Sequence, residues 1–132
     1  MEVILASNAG ACYGVQRALD LAQEAARSSL TAQTLGPLIH NPQVVSDLSR
    51  EGVSVADRVE DVTAQTIIIR SHGVPPSVMK KACATGCKII DATCPYVIRA
   101  QRAARDLAQR GYHVLVVGER SHPEVEGLCA FA

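Results

Sequence analysis

The sequence contains no tryptophan, one phenylalanine and three tyrosines. So sparse an aromatic set offers little for nucleic-acid bases to stack on. A surplus of either charge is also missing: thirteen basic side chains balance thirteen acidic ones, for a formal charge of zero. No basic field draws the chain to a phosphate backbone and no acidic tail marks a solvating segment. Nucleic acid is therefore not an expected partner. Long hydrophobic runs are absent too. Glu2 follows Met1 directly, and the short apolar stretch after it ends at Ser7 and Asn8, well below the length of a secretory h-region or a membrane span. The expectation is a cytoplasmic protein with no membrane partner.

An even cysteine count is lacking as well. Five cysteines, at positions 12, 83, 87, 94 and 129, argue in a reducing compartment against a disulfide framework and for metal ligation, catalysis or plain burial. No Walker A loop occurs, and NAGACYG does not fit the dinucleotide fingerprint, so nucleotide binding is without its usual marker. What is present is 48% hydrophobic content over 132 residues. That suffices for one ordinary domain, or for one domain and the beginning of another.

Short β-rich runs alternate with longer segments of helical period. EVILAS (2–7) predicts a strand, followed by a helix from Tyr13 to Ser29 in which Val15, Ala18, Leu19, Ala22, Ala25 and Ala26 form one apolar stripe. A weaker strand near 33–35 leads to His40. Asn41 and Pro42 then read as a helix N-cap and first position, and Gly52 as a left-handed stop. A variable stretch over 53–65 precedes the strand TIIIR (66–70), the loop SHGVPP and a helix over 76–85. KIID (88–91) predicts a strand, residues 95–110 a helix, and HVLVVG (113–118) a further strand, with ERSHPEVEGLCAFA as its loop.

This order predicts an α/β fold, a parallel sheet with helices on both faces. A domain boundary at Cys94 and Pro95, between residues 1–94 and 95–132, is compatible with this order. Strand-to-helix loops of such a sheet leave at one edge, where ligands bind. Cys12, His40, His72, Cys94 and His122 all fall in such loops, so they are expected at a common rim.

Cys12 lies in NAGACYGVQRA, where Gly10 and Gly14 permit close backbone approach and the next helix offers free N–H groups. Such a place suits a thiolate, though a small buried residue fits it too. Cys94, in DATCPYV, repeats the arrangement. Two thiols at one electropositive rim suit an iron–sulfur cluster or zinc. Cys83 and Cys87 are spaced C-x₃-C across a helix end, outside the usual zinc and ferredoxin spacings, and are expected to be structural. The imidazoles of His40, His72 and His122 read as an anion-binding cluster, with His113 placed on the far side. Glu124 and Glu126 add carboxylates, one of which could transfer a proton near a metal.

GACYGVQRA, LGPLIHNPQVV, RSHGVPP, DATCPYV and HPEVEG, in this order and at these intervals, resemble the 4-hydroxy-3-methylbut-2-enyl diphosphate reductase family, also called LytB. The resemblance runs from Met1 to about Gly127. It implies an oxygen-sensitive oxidoreductase with a 4Fe–4S cluster, acting at the last step of the non-mevalonate isoprenoid pathway. The substrate would be a small diphosphate, reductively dehydroxylated to isopentenyl diphosphate and dimethylallyl diphosphate, with ferredoxin or flavodoxin as electron donor. Carried over motif by motif, Cys12 and Cys94 would be cluster ligands, His40, His72 and His122 would bind the diphosphate, and Glu124 would feed the catalytic proton. The resemblance also implies a longer protein of three pseudo-equivalent domains, with a third cysteine ligand beyond this chain, so that the 132 residues alone are expected to be inactive. The alternative reading is a non-catalytic phosphate- or metal-binding α/β module.

Overall fold

Ile67, Ile68 and Ile69 are completely inaccessible to solvent, which requires cover on both faces of the strand that carries them. The computed structural model, which describes residues 2–7, 9–28 and 30–132, shows how that cover is built. The chain runs α1 (Tyr13–Arg27), β1 (Ala32–Leu35), α2 (Pro42–Arg50), β2 (Val53–Ala56), a 3-10 turn (Val59–Asp61), β3 (Thr66–Ile69), α3 (Pro76–Ala84), β4 (Lys88–Asp91), α4 (Pro95–Gln109) and α5 (Pro123–Cys129). Four strands form a parallel sheet in the order β2-β1-β3-β4.

Successive side chains of a strand point to opposite faces. Ile68 therefore packs with Ala18, Ala22 and Ala25 of α1, and with Leu38, Leu48 and Val53, on one side. Ile67 and Ile69 pack with Leu35, Val74 and Ala82 on the other. Val59 and Val62 join that second cluster, so the connection from β2 back to β3 closes the face that α3 covers. Each fully buried isoleucine contributes about 1.5–3 kcal/mol. The small alanines of α1 let its axis lie close against the sheet.

The helix ends follow the sequence signals. Asn41 Oδ1 accepts hydrogen bonds from the N–H groups of Gln43 and Val44 at 3.0 and 3.3 Å, and Gly52 takes φ +96° after α2, a conformation that disfavours a side chain. The predicted end of the first helix at Ser29, like Asn8 and Met1, lies outside the described residues.

Four expectations are corrected. Residues 2–7 and 113–118 are not strands: neither run joins the sheet, and Val3, Ile4, Leu5, Leu115 and Val117 are 74–98% exposed. β-branched composition favours a strand only where a partner supplies its hydrogen bonds, and nothing in the sheet does so here. Cys12 consequently follows irregular chain rather than a strand. The stretch read as variable contains β2, a short edge strand in which Ser54 is exposed. Finally, the loop after 118 folds into α5, with His122 as its cap, Pro123 at its first position and Glu124 in its first turn.

Candidate functional site

Parallel register delivers the site. Leu35 stands opposite both Ala56 and Ile69, and Ile69 opposite Asp91, so the strands end level and their exit segments share an edge. His40, His72 and Cys94 follow those ends within a few residues. The hydrogen-bond ladder continues past the strands: the N–H and hydroxyl of Ser71 both donate to Leu38 O, at 3.1 and 2.9 Å, and Cys94 N–H donates to Ser71 O at 2.8 Å. The segments bearing His40, His72 and Cys94 are thereby stitched side by side.

The three histidines meet as expected. Ring centroids of His40 and His72 are 4.6 Å apart, those of His40 and His122 5.4 Å, and those of His72 and His122 5.5 Å. One nitrogen from each lies within 4.8 Å of the others. His72 is half-buried, and its Nδ1 has no hydrogen-bond partner. Burial, then the nearby His40, Arg70 and His122, push its pKa down from 6.5 to about 4, so its imidazole is neutral at neutral pH.

Three imidazole nitrogens at this spacing could hold a divalent cation or an anion. His122 favours the anion. Its Nδ1 accepts the N–H of Glu124 at 3.2 Å, which requires a lone pair there, so the neutral ring carries its proton on Nε2 and presents a donor. A metal would need that proton removed or the helix cap broken. The helix ends themselves contribute less than the sequence suggested, because Asn41 and His122 already occupy N–H groups in the first turns of α2 and α5.

Arg70 braces the loop that carries His72. Its Nε donates to Gly73 O at 3.3 Å, and its guanidinium lies against Gly36, joining the exit segments of β1 and β3. Burial lowers its pKa while the charge of Glu126 opposes that. A hollow of about 710 Å³ opens along α2, lined by Pro37, Ile39, Pro42 and Val45. It touches only His40 of the three histidines, so the imidazole cluster defines the site.

The thiols are arranged differently. Cys12 is the exposed N-cap residue of α1, and Cys94 the half-buried N-cap residue of α4. Cys94 Sγ packs directly against Gly14, in the first turn of α1 and two residues from Cys12. Cys12 and Cys94 thus cap neighbouring helix ends at one corner of the rim. Two soft thiol donors beside a glycine without a side chain fit part of a cluster's ligand shell. Cys83 is exposed on α3, and Cys87 Sγ donates to Ala64 O at 3.3 Å, a bond at the amino-terminal end of the sheet. Cys129 ends α5, at the opposite end of that helix from His122. His113 is exposed and outside the cluster.

The sequence model of the LytB protein family matches residues 3–132. This chain belongs to that family. The LytB chain is 46% identical over 132 residues to the 4-hydroxy-3-methylbut-2-enyl diphosphate reductase of Geobacter metallireducens, covering all of this chain and 47% of that protein. It is 48% identical over 131 residues to the protein of the same name from Trichlorobacter lovleyi, at 99% and 47% coverage. A solved structure of (E)-4-hydroxy-3-methyl-but-2-enyl diphosphate reductase, the terminal enzyme of the non-mevalonate pathway, superposes with TM-score 0.83 at 45% identity, over 98% of this chain and 46% of that one. The reductase of Plasmodium falciparum gives TM-score 0.89 at 27% identity, over 96% and 40%. The LytB chain spans about half the length of the curated relatives it matches.

Arg17, Arg70, Ser71 and Gln101 were not singled out by the sequence as parts of the site. Arg17, Arg70 and Ser71 lie inside the family-like motifs, but a motif does not say which carbonyl a side chain will reach. Gln101 sits on the buried face of α4 with its Nε2 lacking a partner.

Proposed function

We propose that the LytB chain forms the diphosphate-binding face, and supplies two cysteine ligands, of a 4-hydroxy-3-methylbut-2-enyl diphosphate reductase. One observation carries this reading: imidazoles from three separate segments converge within 4.8 Å, with His122 in the tautomer of a donor. Three imidazoles around one small space match the oxygens of a diphosphate. The names of the relatives supply the substrate that such a site would hold.

In this reading His40, His72 and His122 bind and orient the diphosphate, and His72 can take up a proton as the anion enters, because bound negative charge offsets the burial that keeps it neutral. Cys12 and Cys94 hold a 4Fe–4S cluster, which when bound supplies electrons and a Lewis-acidic iron for the substrate hydroxyl. Glu124 follows His122 and Pro123 in the first turn of α5. It delivers a proton to the departing hydroxyl, which leaves as water. Two electrons and two protons then convert the allylic alcohol to isopentenyl or dimethylallyl diphosphate: one C–O bond breaks and one C–H bond forms. A ferredoxin or flavodoxin provides the electrons in the cytoplasm. Among the described residues no helix is long and apolar enough to cross a membrane.

Residues 1–94 form a first α/β domain in this proposal and 95–132 the start of a second, with Cys94 at the junction. Gly127 of α5 approaches Gln101 of α4 and the His72 carbonyl, which keys the second portion into the first.

Anaerobic purification and reconstitution, followed by iron, acid-labile sulfide and zinc analysis, tests the cofactor. Titration with inorganic pyrophosphate, followed through the imidazole NMR signals, tests the anion site. The expected result is iron with sulfide and a joint response of His40, His72 and His122. Zinc in place of iron, with no response to pyrophosphate, would instead establish a metal-binding module.

A further inference from the structure

We infer that Arg17 is a positioning residue that fixes the separation of the Cys12 and Cys94 thiols by clasping the exit loop of β4 to α1. This rests on the reading of those thiols as ligands of one cluster. Arg17 lies in α1 five residues after Cys12, so the helix holds the two at a set distance. Its guanidinium crosses to the main chain of the other thiol's loop, Nη1 donating to Thr93 O at 3.2 Å and Nη2 to Asp91 O at 3.3 Å. Those carbonyls belong to the residue before Cys94 and to the last residue of β4.

The rest of the loop is held from other directions. Asp91 accepts the N–H of Thr93 at 3.0 Å and also its hydroxyl, while Cys94 N–H is fixed on Ser71 O at 2.8 Å. These bonds shape the loop and tie it to β3. They do not reach α1. Between α1 and this loop stand the burial of Ala92 in the cluster that holds Ala18 and Ala22, the packing of Gly14 against Cys94 Sγ, and the Arg17 fork. The packing limits how closely the elements approach, and the fork limits how far they part. A planar guanidinium reaching two carbonyls also resists rotation, which a lysine ammonium cannot do.

Arg17 does not spend its charge on an acid. The salt bridges among the described residues involve Arg50, Arg58 and Lys81. Its cationic group therefore has the carbonyl dipoles of Asp91 and Thr93 as partners, on the loop that carries Cys94, a favourable setting for an anionic sulfur ligand there.

The test needs neither cluster nor diphosphate. In the full chain with Cys83, Cys87 and Cys129 changed to serine, Cys12 and Cys94 are cross-linked with dibromobimane, a short two-armed thiol reagent. Monobromobimane measures the reactivity of each thiol separately. Arg17→Met is expected to slow cross-linking about tenfold after correction for single-thiol reactivity, the scale of losing hydrogen bonds from a charged donor. Arg17→Lys should fall between, keeping charge but losing the fork. A role in stability alone would lower the melting temperature and leave cross-linking of the folded protein unchanged. Equal corrected rates in all three proteins would overturn the inference. If Arg17→Met does not fold, Arg17→Lys decides: a rate equal to that of the parent overturns the inference, and a slower rate upholds it. Failure of the parent itself to cross-link would instead sink the shared-cluster reading of Cys12 and Cys94.

Discussion

Gly14 and Cys94 leave no room for a methyl group between them. A Cβ at Gly14 would overlap Cys94 Sγ and stand 3.1 Å from Cys94 Cβ. Alanine is worth up to about 1 kcal/mol over glycine inside a helix, so Gly14→Ala should stabilise α1 if nothing opposed it. Overlap decides the sign here, because Cys94 is held by its N–H on Ser71 O and the sulfur must move. We expect Gly14→Ala to lower the iron retained after anaerobic reconstitution and to reduce stability by about 1–3 kcal/mol. In a Cys94→Ala background most of that penalty should vanish. A double-mutant cycle by chemical denaturation measures the coupling, and a coupling near zero would show that the two residues do not share this space.

His72 makes stability depend on acid. Its folded pKa, about 4, lies below the ordinary 6.5, so between those values the unfolded chain binds more protons. Its contribution is complete above pH 6.5 and declines as pH falls toward 4. The ring is only half-buried, so solvent screening reduces the effect to about 1 kcal/mol. His72→Asn should flatten that part of the stability profile. Saturating pyrophosphate should raise the His72 titration in the parent, readable by NMR, and an unmoved titration would count against contact between His72 and the anion.

Much of this site was legible because parallel strands ending level convert sequence order into position. His40, His72 and Cys94 each follow a β-rich run that does pair, so the rule for strand exits placed them correctly. Cys12 and His122 reached the same rim although the runs before them, 2–7 and 113–118, do not join the sheet. Local composition marks a capacity for strand but carries no information about whether a partner is present. β2 escaped for the converse reason: VSVA has only four residues and an exposed Ser54, and it is a strand because β1 offers it an edge. Arg17 acts on the carbonyls of Asp91 and Thr93, far away in sequence, which no local pattern encodes.

Gly73 is the point where α4, the exit loop of β4 and the His72 loop press together. Its φ is +72°, and a Cβ there would lie 2.9 Å from Gln101 Nε2 and 3.0 Å from Thr93 Cγ2. Left-handed backbone costs an alanine about 1–2 kcal/mol before any contact is counted. Gly73→Ala should therefore destabilise by at least that amount and perturb the His72 signals. Gln101→Ala introduced alongside should recover part of the loss, and an additive pair of effects in denaturant titrations would argue against this packing.

The two apolar runs outside the sheet give the last expectation. Val3, Ile4, Leu5, Leu115 and Val117 are 74–98% exposed, and both runs have the composition of strands without the hydrogen bonds of one. Backbone groups that no neighbouring strand satisfies, flanked by apolar side chains, are a template for pairing between chains. The 132-residue chain should self-associate as its concentration rises. Val117→Lys places a charge in one run at little cost to the folded chain, because Val117 is 98% exposed. Covering one valine is worth about 1.5–3 kcal/mol, so the substitution should weaken association about tenfold or more in sedimentation velocity, with the melting temperature unchanged. A parent that sediments as a monomer throughout would show that these runs are kept apart by something other than a pairing partner.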